Sequence, residues 1–182
     1  MQELKDIALY QALEYSRSLD ESAGRNVILQ WQKEQPALAQ AALEIFPSVI
    51  AAQNQDMAYY FMDLCFDIVC ILQHAFGPMP SHRNMDLDWL AKQTTLLDTE
   101  LEALFAGQTI DPKIKQQLQQ RFLNRTAAEH PQPALAKILH ESIADYAAEN
   151  PQRAVATAIT QAMTDIVLRL CCNLYQHTNP KP

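Results

Sequence analysis

The amino-acid sequence predicts an all-α fold: one domain of about seven to nine helices in an orthogonal or bundle-like array. Three observations lead there. Ala, Leu and Gln dominate the composition, and all favour helix. Apolar residues recur three and four positions apart along most of the chain, and no segment alternates apolar and polar as a strand would. Helix boundaries are marked by Asn or Asp caps, Pro at first helical positions and Gly terminators. The 182 residues suit a single domain that buries about 70% of its unfolded surface, so it needs no disulfide or metal to hold it together.

The first helix is expected over about 3–22, where Leu4, Ala8, Ala12, Tyr15 and Leu19 form a stripe that ends before Gly24. A short second helix carries Val27, Ile28 and Trp31. Pro36 opens a helix to Phe46, and Pro47 breaks or kinks the chain before a continuation to about Ala52. Asn54 caps a long helix, Gln55 to Phe76, that stops at Gly77. Residues 77–84, with Pro78 and Pro80, form a loop. Asn84 or Asp86 starts a helix to about Ala106, and Asp111-Pro112 starts another to about Ala128. Pro133 opens one to about Glu149, and Asn150-Pro151 opens the last, to about Gln176. Residues 178–182 read as a frayed tail.

One pattern goes beyond single helices. Gln35-Pro36-Ala37-Leu38-Ala39 recurs as Gln132-Pro133-Ala134-Leu135-Ala136, and at the same offset Glu44 answers Glu141 and Gln55 answers Gln152. One residue further on, Asp67-Ile68-Val69 answers Asp165-Ile166-Val167. These matches suggest an internal repeat, 25–76 against 122–175, with the two long apolar helices equivalent and central. Chance agreement among Ala- and Gln-rich amphipathic helices is the competing reading.

Composition narrows the function. With 48% apolar and 19% charged residues the chain is globular. Fourteen Lys and Arg against twenty-one Asp and Glu give a formal charge of −7, a poor match for a phosphate backbone, so nucleic acid is not the expected partner. The first residues, Met1-Gln2-Glu3-Leu4-Lys5-Asp6, lack the basic start and apolar core of a signal peptide, so the expected location is the cytoplasm. The apolar run 57–72 contains Asp63 and Asp67 and reads as a core helix rather than a membrane span. Cys65, Cys70, Cys171 and Cys172 lack the spacing of a zinc or redox motif and read as small core residues. Three glycines leave no Gly-rich phosphate cradle.

Chemistry concentrates on the helix 55–76. Asp63, Asp67, Cys70 and His74 fall on one face, a carboxylate, thiol and imidazole set able to hold Fe, Mn or Zn. Glu44 and Glu141 form one equivalent pair across the suggested repeat and Asp67 and Asp165 another, which imitates the four carboxylates of a dimetal bundle, although Cys70 and Leu168 stand where a histidine is expected three residues after each Asp. The simpler reading is a solvated strip, matched on the last helix by Thr157, Gln161, Thr164, Asp165, Arg169 and Gln176. Tyr59, Tyr60, Phe61 and Phe66 add an aromatic surface suited to a homodimer interface. The leading expectation is thus a non-enzymatic helical protein that works by contact with itself or another protein, and the alternative is a metal-binding protein or oxidoreductase.

Overall fold

A computed structural model describes residues 1–93, 95 and 130–178, and the fold over these residues is all-α. Seven α-helices lie among the described residues. The expected helix ends at Ala106 and Ala128, the start at Asp111-Pro112 and the tail from 179 onward lie outside them, as does part of the suggested second repeat half.

The N-terminal third departs from expectation at two places. Helix α1 spans Asp6–Ser18 rather than starting at residue 3. The Leu4 amide donates to the side chain of Gln132 at 2.7 Å, which holds the preceding residues out of the helix. Helix α2 spans Glu21–Glu34 and starts earlier than expected, because Asp20 accepts a hydrogen bond from the Ala23 amide at 2.8 Å and caps it. Gly24 is therefore an interior residue and not a stop. It lies against the Phe66 ring, with 3.4 Å from an ideal Cβ position to the ring's Cζ.

Pro47 neither breaks nor ends its helix. Helix α3 (Pro36–Gln40), five π-helical residues (Ala41–Ile45) and α4 (Phe46–Ala51) follow one another without interruption. The Phe46 amide reaches back five residues to the Ala41 carbonyl. A proline has no amide to donate and crowds the carbonyl four residues before it, and one widened turn relieves that crowding.

Helix α5 spans Gln55–Phe76, as the sequence predicts. Asn54 caps it by accepting from the Met57 amide at 3.0 Å. Gly77 ends it at φ 88° and ψ −173°, with its amide on the Gln73 carbonyl. The expected loop contains a short 3-10 turn, His82–Asn84. Asp86, one of the two expected caps, accepts from the Trp89 amide and starts a helical stretch over 87–93. Helix α6 spans Pro133–Ala148, a 3-10 segment covers Pro151–Ala156, and α7 covers Thr157–Thr178.

Helices α5 and α7 lie side by side and run in the same direction. At one end Asn54 donates to the Gln152 carbonyl and Arg153 pairs with Asp56; at the other the Tyr175 hydroxyl donates to the Gly77 carbonyl at 2.9 Å. Helix α6 runs back along α7 and meets α5 at Tyr60. Tyr60 of α5 stacks on Tyr146 of α6 at 4.1 Å between ring centres, and Arg153 sits over the other partner, Tyr146, at 3.8 Å. Helices α1 and α4 cover α5 from further sides.

Residues 162–168 of α7 are all buried, so this helix is enclosed around its circumference. That corrects the solvated strip expected there: Thr164 and Asp165 lie in the interior. The Thr160 and Thr164 hydroxyls donate to carbonyls one turn back at 2.8 Å, which satisfies them without solvent. By length and composition, α5 and the segment 151–178 are each apolar enough to cross a membrane, and in this fold they pack as core helices.

The two described glycines respond in opposite ways to alanine. Gly24→Ala gains helix propensity at ordinary contact distance from Phe66 and raises stability by about 0.5–1 kcal/mol. Gly77→Ala forces a side chain into a backbone region open to little but glycine, and lowers stability by about 1–3 kcal/mol. Urea unfolding of the two variants beside the parent measures both.

Candidate functional site

The six residues considered as metal ligands do not converge. Glu44 is exposed and accepts from Gln40 at 3.4 Å, while Glu141 is exposed and pairs with Lys137 at 3.8 Å. Asp63 faces outward, and His74 is exposed with its ring stacked on Tyr15 at 4.5 Å. Asp67 is half-buried beneath the end of α1, where burial pushes its carboxyl up and the Ser16 hydroxyl and Arg17 pull it back. Cys70 is buried, and its thiol is pushed up to about 12, first by burial and then by the Asp67 charge. Among the described residues, no group of three or more His, Cys, Asp and Glu side chains is arranged to hold a metal ion.

The four aromatic residues considered for an interface have separate fates. Phe61 is in the core beside Phe46, at 6.3 Å between ring centres. Tyr60 is engaged within the chain, with Tyr146 and with the Ser142 hydroxyl. Phe66 is half-buried against Gly24. Tyr59 alone of the four is largely open, at 57% exposure.

Two features of the structure are not visible in the sequence. The first is a buried polar cluster between α6 and α7. His140 donates to Asp165 at 2.8 Å, and Asp165 itself is 1% exposed. The sequence spacing pairs Asp165 with Arg169, one turn away on its own helix, whereas its hydrogen-bond partner comes from α6. His130 joins from the stretch before α6. The Gln132 amide donates to its Nδ1 at 3.0 Å, so the proton of the neutral ring sits on Nε2. Burial lowers the His130 pKa to about 4; Asp165 pulls it up, while Arg169 and His140 push it down.

The second feature is a cavity of about 360 Å³ between α3, the 82–93 stretch and the later half of α7. Leu38, Ala41, Trp89, Leu90, Leu170 and Leu174 make its wall apolar. Three polar residues share the lining, and each is already engaged. Gln35 donates to the Pro80 carbonyl at 2.7 Å, and Gln93 accepts from Asn173 at 2.7 Å. His82 holds the Glu34 carbonyl through Nδ1 at 2.7 Å. A carbonyl only accepts, so His82 donates there and Nε2 is its remaining nitrogen. The Trp89 ring is fixed by stacking on His177 at 4.5 Å, and His177 lies 3.6 Å from the Asp86 carboxylate. Leu87, two residues before Trp89, is 82% exposed. A cavity with a mostly apolar wall is suited to an apolar occupant.

Removing His140 leaves a buried carboxylate without its donor, so His140→Ala costs about 3 kcal/mol of stability near neutral pH. Glu141→Ala, one position on and exposed, changes stability by no more than about 0.5 kcal/mol. Chemical denaturation of the two variants separates a buried polar pair from a solvated carboxylate. Compared with known proteins, the chain matches no family model, no curated protein and no solved structure.

Proposed function

We propose that this is a non-enzymatic helical protein that acts by protein contact, and that its partner is a second copy of itself. Leu87 of each copy seats in the other's cavity beside Trp89 and Leu90. The observation that carries this reading is that the most exposed large apolar side chain among the described residues, Leu87, lies two and three positions before Trp89 and Leu90, which line an open apolar cavity. A two-fold axis beside this stretch exchanges the two features, as symmetric pairs do. The same stretch carries both signs of charge, exposed Arg83 before Leu87 and exposed Asp88 after it in sequence, so like charges need not face each other.

The magnitudes favour a modest affinity. Burying one leucine side chain is worth about 1.5–3 kcal/mol, and symmetry doubles it to about 3–6 kcal/mol. That alone does not exceed the cost of association, so the surrounding contacts have to supply the balance and the pairing is weak. Sedimentation velocity at about 200 µM therefore shows a dimer for the parent chain. Leu87→Asp, at an exposed position in the first turn of the 87–93 helical stretch, gives a monomer with unchanged circular dichroism, and Ala41→Leu, which fills the cavity from its wall, does the same. A parent chain that sediments as a monomer at that concentration refutes this reading.

A further inference from the structure

Gln132 ties together parts of the chain that are far apart in sequence. Its side chain is fully buried, and both ends of its amide are used on the stretch that leads into α1. Oε1 accepts from the Leu4 amide at 2.7 Å, and Nε2 donates to the Gln2 carbonyl at 2.8 Å. The Gln132 backbone amide in turn donates to Nδ1 of His130 at 3.0 Å. That bond requires a bare Nδ1. Protonating the imidazole places a hydrogen there, opposite the Gln132 N–H, and two donors then face each other where a hydrogen bond had been. Gln132 sits at φ −132° and ψ 69° immediately before Pro133, so a shift of its backbone carries the amide side chain with it.

We propose that His130 and Gln132 form an acid-sensitive latch that holds residues 2–4 against the protein near neutral pH and releases them on acidification. Leu4 is 7% exposed and belongs to the core, so release uncovers an apolar side chain at the start of α1.

The direction follows from the groups around His130. Asp165 on α7 favours the charged ring, while Arg169 on α7 and His140 on α6 oppose it. Burial, aided by Arg169 and His140, outweighs Asp165 and holds the latched ring neutral down to a pKa of about 4, against an ordinary value of 6.5. The latched state therefore binds fewer protons than the released one between these values, and latching weakens as pH falls from 6.5 toward 4. At pH 4.5 the released-to-latched ratio is roughly 60-fold above its value at pH 7.0.

Amide hydrogen exchange on the full chain at pH 7.0 and 4.5, expressed as protection factors, tests the latch. Leu4 is expected to lose protection by tens of fold at the lower pH while Ile68 in α5 and Val167 in α7 keep theirs. His130→Asn offers Gln132 an oxygen acceptor that does not titrate, and in this variant Leu4 stays protected at both pH values. Gln132→Ala, with His130 intact, leaves Leu4 unprotected at both. The latch is overturned by unchanged Leu4 protection in the parent or by an equal acid loss in His130→Asn. It is equally overturned by a loss at Leu4 that runs in step with Ile68 and Val167, which would be opening of the whole domain.

Discussion

A helix whose whole circumference is buried imposes conditions that a surface helix does not, and α7 is such a helix over 162–168. Every side of it needs a covering element. Among the described elements, α5 and α6 pack along it and α4 touches it. Every polar atom it brings inside also needs a partner that is not water. Thr160 and Thr164 meet that need within the helix, by folding their hydroxyls onto carbonyls of the preceding turn. Asp165 has no such local solution. Its carboxylate depends on His140, which fixes the register of α6 against α7 more narrowly than apolar packing would.

Placing α5 and α7 parallel adds a second condition. After about 33 Å of helix, the chain has to travel back before α7 can start beside α5, and α6 makes the last part of that return. The two Gln-Pro-Ala-Leu-Ala stretches stand at corresponding points of this layout. Gln35 and Gln132 have nearly the same backbone conformation, φ −139° and ψ 64° against φ −132° and ψ 69°, and each precedes a proline that opens a helix. Both are buried, and both use the side-chain amide to hold a remote backbone: Pro80 after α5 in one case, Gln2 and Leu4 before α1 in the other.

What could be read in the sequence was local. Asn54 and Gly77 bound α5 through bonds to amides and carbonyls three or four residues away, and such caps leave a signature within one turn. The boundary between α1 and α2 is hidden in the sequence because an apolar stripe continues through it, while the Asp20 cap that interrupts the stripe is a single residue. Gly24 looked like a terminator because a helical glycine at a close contact and a terminating one are the same letter; only the Phe66 ring distinguishes them. The polar cluster and the cavity were not legible at all. His130, His140 and Asp165 come from three separate stretches, and the cavity wall draws on α3, the 82–93 stretch and α7. Polar residues on a helix were read as outward-facing, which is right for Asp63 and His74 and wrong for Asp165, because periodicity gives the angle around a helix but not the number of neighbours that cover it.

The four cysteines, all free and buried on the two central helices, have a use that does not depend on any function of the protein. Attack by a thiol needs the thiolate, and burial suppresses it: Cys70 and Cys171 are each raised to about 12, and Cys65 and Cys172 are raised as well. An alkylating dye can therefore reach them only when α5 or α7 comes away from its neighbours. The rate of that modification is a clock for the opening of the protein's centre, wound by the packing itself and readable without adding a probe to the chain.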